Sequence, residues 1–130
     1  MKARKTPKVF FEYPVMKHGV CVSLLKLVQY YCKLPDGKNA RPHIEFLTAE
    51  SRRGMGYMSE ALPKYLKKCK RHGYNQLIAV VEPENVISIH LLEKNGFVPI
   101  AVVGDYQTFL IDLRMPKTLL QDAVRSVVTM

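Results

Sequence analysis

The stretch Ser51-Arg52-Arg53-Gly54-Met55-Gly56 is where the residue types first suggest chemistry. Two glycines let backbone N–H groups come close to a bound anion. In the segment that follows, Met58, Ala61, Leu62, Tyr65, Leu66 and Cys69 recur at helical spacing, and the N-terminus of such a helix adds positive potential. A glycine turn opening onto a helix can therefore hold a pyrophosphate. An ordinary glycine-rich turn between strand and helix has the same local pattern, and the glycine pair alone does not separate the two. Lys64, Lys67, Lys68, Lys70 and Arg71 fall largely on the other face of that helix, where they form either a solvated basic face or a set of phosphate contacts. His43, His72 and His90 could move protons, but no Ser, Cys or Asp partner pattern surrounds them, and they receive no role. Cys21, Cys32 and Cys69 are an odd set without CxxC or Cys/His spacing, so neither a disulfide framework nor a metal site is indicated.

Such a turn needs a strand before it and a sheet around it. Val9-Phe10-Phe11-Glu12-Tyr13 reads as a strand ending at Pro14. From Val20 to Lys33 two templates fit: Leu24, Leu27, Val28 and Tyr31 have helical spacing, while Val28, Tyr30 and Cys32 alternate. Pro35-Asp36-Gly37 is a turn signal, and a strand over residues 43–48 follows it. The helix from Tyr57 to Arg71 contains Pro63, which removes a backbone donor at a cost of about 3 kcal/mol and predicts a kink or a late helix start. His72-Gly73-Tyr74-Asn75 ends it. Leu77-Ile78-Ala79-Val80-Val81 is a continuous apolar run of the kind found in a strand covered on both faces. Asn85 can cap a helix to about Lys94, with Asn95-Gly96 as its left-handed exit and Phe97 folding back. Residues 97–103 and 106–113 read as a hairpin turned by Gly104-Asp105. Beyond Pro116, the stripe Leu119, Leu120, Ala123, Val124, Val127 and Val128 predicts a terminal helix that packs on the sheet or on a second subunit of a homodimer.

Taken in order, the Ser51 to Gly56 turn, the Tyr57 to Arg71 helix, the Leu77 to Val81 strand, Asn85, and Ile89-His90-Leu91-Leu92-Glu93-Lys94-Asn95-Gly96-Phe97 resemble the GNAT family of N-acetyltransferases, whose turn reads Q/R-x-x-G-x-G/A. The resemblance covers about the middle 55 residues. It implies an α/β (mixed α+β) fold, a splayed mixed sheet flanked by helices, here with a shortened N-terminal region and an extra C-terminal helix. It also implies acetyl-CoA as co-substrate. The backbone of Ile44, Glu45 and Phe46 would line the pantetheine arm; Arg52, Arg53, Gly54, Met55, Gly56 and Tyr57 would cradle the pyrophosphate; and Asn85 would contact the cofactor. Lys64 and Lys67 could reach its 3′-phosphate. Two departures stand out. Ser51 holds the place of the usual Gln or Arg, and Leu92 falls where many members carry the tyrosine that protonates the departing thiolate. Attack of an amine on a thioester needs a base, donors to the developing oxyanion and an acid for the thiolate. Glu45 is the candidate base, Glu82 the second, and Tyr57 or Tyr106 the substitute acid.

At 130 residues the chain has the size of one domain, and 48% hydrophobic with 24% charged residues is ordinary globular composition. Met1-Lys2-Ala3-Arg4-Lys5 is basic, but no signal-length apolar run follows and nothing approaches a membrane span, so a cytoplasmic protein is expected. The formal charge of +9 favours anionic partners and argues against polyamine substrates. The leading expectation is direct acetyl transfer in a ternary complex to a primary amine on a protein, an RNA-linked amino acid or a small molecule. The alternatives are a catalytically reduced binding or regulatory protein of the same fold, and a small basic nucleic-acid-binding protein using the Lys64 to Arg71 face.

Overall fold

The computed structural model describes residues 8–29, 41–48 and 56–128, which form six strands and three helices in a mixed α/β arrangement. They cluster into two compact units, Met1–Ala61 and Leu62–Met130.

In the first unit, β1 (Lys8–Lys17) and β2 (Val20–Gln29) form an antiparallel hairpin, and β3 (His43–Thr48) pairs antiparallel with β2. Strand β1 does not end at Pro14. It runs through the proline, which sits opposite Leu24 and is exposed. An edge strand has a side on which no donor is required, and proline is tolerated there. The ambiguous segment after Val20 is a strand as far as Gln29, with Val22, Ser23, Leu25, Leu27 and Val28 buried. The alternation is imperfect because the ladder with β1 carries two irregularities, between Val9 and Phe11 and between Val15 and Met16. The Pro35-Asp36-Gly37 turn and residues 30–33 lie outside the described residues.

Helix α1 (Tyr57–Arg71) has the expected bounds. The late start that Pro63 suggested does not occur, since the proline lies inside a helix that begins at Tyr57. Pro63 and Ser59, whose carbonyl it cannot serve, are both exposed, so water can satisfy that oxygen. Burial of Ala61, Leu62, Tyr65, Leu66 and Cys69 holds the helix down in spite of the lost bond.

The second unit is organised around β4 (Gln76–Val81), β5 (Val98–Val103) and β6 (Tyr106–Asp112), with β6 antiparallel to both of the others. Leu77, Ile78 and Ala79 are buried, whereas Val80 is 43% exposed, so the apolar run is covered over its first half only. Helix α2 (Val86–Lys94) begins at Asn85, whose Oδ1 accepts a hydrogen bond from the Ser88 N–H at 3.2 Å. Its exit is a Schellman motif. The Phe97 N–H donates to the Leu92 carbonyl at 3.0 Å and the Gly96 N–H to the Glu93 carbonyl at 3.2 Å. Gly96 has φ +99°, and an added Cβ would meet Ile111 Cδ1 at 3.5 Å. Phe97 and Leu92 are fully buried.

Helix α3 (Lys117–Val128) packs within the chain. Leu120 joins Ile78, Val98 and Leu110 in one buried cluster, with Ile100, Met115 and Val124 packed against it. Full burial of such side chains is worth roughly 1.5–3 kcal/mol each. Lys117 Nζ donates to the Glu93 carbonyl at 2.7 Å, tying the start of α3 to the end of α2. The turn into α3 is fixed by Asp112. Its buried carboxylate accepts from Arg114 Nε at 2.9 Å, Arg114 Nη2 at 2.7 Å, the Arg114 backbone N–H at 3.0 Å and Gln76 Nε2 at 3.1 Å. No helix among the described residues is long and apolar enough to cross a membrane.

Candidate functional site

In the first unit the candidate residues fall on β3 and on the start of α1. Ile44 is buried at 3% exposure, and Glu45 and Phe46 are half-buried. Their backbone pairs with β2 through Ile44 opposite Leu27, Glu45 opposite Lys26 and Phe46 opposite Leu25. His43 and Glu45, two apart on a strand, share a face. Burial pushes the His43 imidazole below its ordinary value, opposed by a 3.0 Å hydrogen bond between its Nδ1 and the Arg41 carbonyl and by the Glu45 charge. The candidate base thus stands beside a predominantly neutral imidazole at pH 7.

Gly56 is exposed with φ +75° and opens α1, its carbonyl taking the first helical bond from the Glu60 N–H at 3.1 Å. Nothing lies within 4 Å of a Cβ built there, so glycine is required by the backbone angle and not by crowding. The amides of Tyr57, Met58 and Ser59 precede the first helical donor and have no partner within the helix. That is a suitable donor set for an anion such as a pyrophosphate. Tyr57 is half-buried. Lys17 Nζ lies 6.0 Å from its ring centroid and 3.3 Å from Glu60 Oε1. Nothing in the sequence pointed to Lys17, which is 43 residues away from Glu60. Arg52, Arg53, Gly54 and Met55 lie outside the described residues.

In the second unit, Glu82 and Asn85 stand together in the turn after β4, where the Asn85 N–H donates to the Glu82 carbonyl at 3.0 Å; both side chains are exposed. Asn85 spends its side-chain oxygen on the helix cap, leaving its amide group for a ligand. Leu92 is fully buried and offers no hydroxyl at that position. Of the substitute acids, Tyr106 is 46% exposed at the start of β6. Tyr65 and Cys69 are fully buried, and burial pushes the tyrosine hydroxyl far above its ordinary value and the thiol up to about 12. Cys69 is therefore a packing residue and no nucleophile. Lys64 and Lys67 are exposed on α1. A cleft of about 350 Å³ opens among Pro63, Lys67, Lys70, Asn95, Met115 and Lys117; of the basic candidates on α1, Lys67 and Lys70 border it. No metal-binding group of His, Cys, Asp or Glu is found among the described residues.

The first unit thus carries a glycine with positive φ at the mouth of an amphipathic helix, and the second an asparagine-capped short helix with a glycine–phenylalanine exit, both in a chain of mixed α/β class. Residues 27–98, more than half of the chain, match the family described as "Acetyltransferase (GNAT) domain", and the chain belongs to that family. Solved structures agree on the fold. An N-acetyltransferase from Staphylococcus aureus Mu50 is 21% identical over 78% of this chain and 67% of its own, with a TM-score of 0.68. A ribosomal-protein-alanine N-acetyltransferase from Brucella melitensis is 18% identical over 78% and 67%, with a TM-score of 0.67. An acetyltransferase from Salmonella typhimurium, solved with its cofactor acetyl-CoA, is 18% identical over 75% of this chain and 61% of its own, with a TM-score of 0.61. The chain thus spans 61–67% of the length of these three proteins. No curated relative matches the sequence.

Proposed function

We propose that this protein transfers an acetyl group from acetyl-CoA to a primary amine by direct attack within a ternary complex, as one domain over residues 1–130. The observation that carries the reading is the mouth of α1, where Gly56 holds φ +75° and the first-turn amides have no partner within the helix, in a chain of the GNAT family. The backbone of Ile44, Glu45 and Phe46 receives the pantetheine arm. Arg52 to Tyr57 hold the pyrophosphate, and the Asn85 side-chain amide steadies the cofactor near the end of β4. Glu45 takes the proton of the attacking ammonium, and burial disfavours a second positive charge on His43 of the same strand face. As the new N–C bond forms, the C–S bond breaks; the nitrogen gives up its second proton to water, and the thiolate takes a proton from Tyr57, Tyr106 or water.

Calorimetric titration with acetyl-CoA, for the natural chain and for Gly54→Glu, tests this. Binding in the roughly 1 μM–1 mM range usual for enzyme substrates, lost in the variant, supports the site. An absence of binding at millimolar acetyl-CoA overturns it.

One observation favours a second reading. Leu92 is fully buried where the family's acid stands, which suits a protein that binds acetyl-CoA with little or no turnover. Binding without thiol release across a panel of amine acceptors, including peptide N-termini, is the result that selects it.

A further inference from the structure

The cleft of about 350 Å³ has no role in the acetyl transfer described above, and every residue that lines it belongs to the second unit. Three stretches meet there: α1 from Pro63 to Lys70, the α2 exit at Asn95-Gly96, and the chain from Ile111 to Lys117 that leads into α3. The lining is apolar at Pro63, Leu66, Ile111, Met115 and Pro116, and basic at Lys67, Lys70 and Lys117. Its acid, Asp112, is buried and already paired with Arg114, so the positive charge is in surplus.

Lys67 and Lys70 are exposed and have no ion pair or hydrogen bond among the described residues. Three apart on one helix, they are neighbours whose like charges repel. Lys117 gives one of its three hydrogens to the Glu93 carbonyl at 2.7 Å, and Asn95 Nδ2 gives one of its two to the Leu91 carbonyl at 2.8 Å, so both keep donors for a ligand. Lysines also complement the negative end of a helix, and Lys70, in the last turn of α1, has that explanation. It does not cover Lys67, which stands a turn earlier, and the end of α2 is already served by the Gly96 and Phe97 N–H groups and by Lys117.

We propose that this cleft binds a small organic anion, a carboxylate on an apolar body, with Lys67 and Lys70 at the acid group and the body against the apolar lining. The volume is at the lower end of the range of small-molecule sites, which join apolar walls to a few polar groups. No aromatic residue lines the cleft, so a nucleic-acid base has no platform for stacking. A bare phosphate would leave the apolar lining in water.

The test is hydrocinnamate titrated into the full chain and followed by amide NMR. Hydrocinnamamide, with the same body and no charge, and inorganic phosphate, with charge and no body, are the controls. Hydrocinnamate, with about 11 non-hydrogen atoms, should bind with a Kd of about 1 mM and shift the amides of Lys67, Lys70, Gly96 and Leu113. Both controls should bind approximately tenfold more weakly, and Lys67→Gln combined with Lys70→Gln should weaken hydrocinnamate approximately tenfold. Both lysines are exposed, so the double variant should fold, which heat unfolding checks; the comparison of hydrocinnamate with its amide needs no variant at all.

Equal affinity for hydrocinnamamide, shifts confined to other residues, or no binding at roughly 10 mM overturns the site. Phosphate binding as tight as hydrocinnamate overturns it in favour of a bare cation patch. An oligonucleotide that shifts these amides where hydrocinnamate does not overturns it in favour of a polyanion surface. Displacement of hydrocinnamate by acetyl-CoA assigns the lysines to the cofactor and also overturns it, whereas a chain that binds hydrocinnamate and no acetyl-CoA upholds the cleft and overturns the cofactor reading alone.

Discussion

Replacement of Asp112 is the perturbation whose size follows most directly from the geometry. The carboxylate is buried at 1% exposure and accepts four hydrogen bonds, three from Arg114 and one from Gln76. In Asp112→Ala the Arg114 guanidinium, on a side chain 55% exposed, can turn to water, which discounts the ionic part. The Gln76 amide and the Arg114 backbone N–H lose their partner, and each partly buried donor left unmade costs about 1–1.5 kcal/mol. The expected loss is about 2–3 kcal/mol, or roughly 6–15 °C in Tm for a chain of this size. Asp112→Asn keeps one acceptor oxygen and should lose about half as much. The pH dependence adds a sign. Hydrogen bonds from Arg114 hold the Asp112 carboxyl well below the usual carboxylate range, although its burial acts in the opposite direction. A group depressed in the folded state stabilises fully above its unfolded value of about 4, and that contribution is lost as pH falls toward the folded value. The Tm gap between the natural chain and Asp112→Asn should therefore be constant from pH 7 to about pH 5 and close as the solution is acidified below about pH 4. Scanning calorimetry from pH 7 to pH 3 measures it. A gap under about 1 °C at pH 7, or one that widens in acid, refutes the reasoning.

Asn85→Ala removes the cap on α2 and should cost about 1 kcal/mol by urea unfolding, with acetyl-CoA affinity falling by more than the stability loss explains if the side-chain amide also contacts cofactor. Phe97→Ala empties a fully buried site on the Schellman exit and should cost about 3–5 kcal/mol, enough to unfold much of the protein at 37 °C, as read by near-ultraviolet circular dichroism. His18→Asn should raise Tm by about 1–4 °C, because asparagine accepts φ of 52° more readily than histidine; a lower Tm would show that the imidazole holds the hairpin in another way.

Local signals in the sequence were reliable wherever the cause of the structure was itself local. Asn85 and Asn95-Gly96-Phe97 marked both ends of α2, and the stripe from Leu119 to Val124 marked α3, because caps and periodicity act within a few residues. The strand through Pro14 was not legible, since a proline stops a strand or decorates its edge depending on partners far along the chain. Strand β2 stayed ambiguous for a related reason. Irregularities in its ladder with β1 blur a period of two, and those irregularities are set by the pairing. Pro63 misled because burial of five side chains on α1 outweighs one missing backbone bond. Of the candidate site, the glycine at the mouth of α1 and the residues on β3 could be named from motif order, while Lys17 could not, as only the folded hairpin brings it to Glu60.

The two-residue turn His18-Gly19, with φ of 52° and 77°, also constrains how the gene can vary. Because side chains alternate across a strand, a single codon inserted in β1 near Lys17 would turn the lysine to the opposite face, and one inserted in the loop would replace a turn whose twist matches its strands with a longer one. Point substitutions along this hairpin should therefore be common among descendants of this sequence, and length changes between Val15 and Val22 rare.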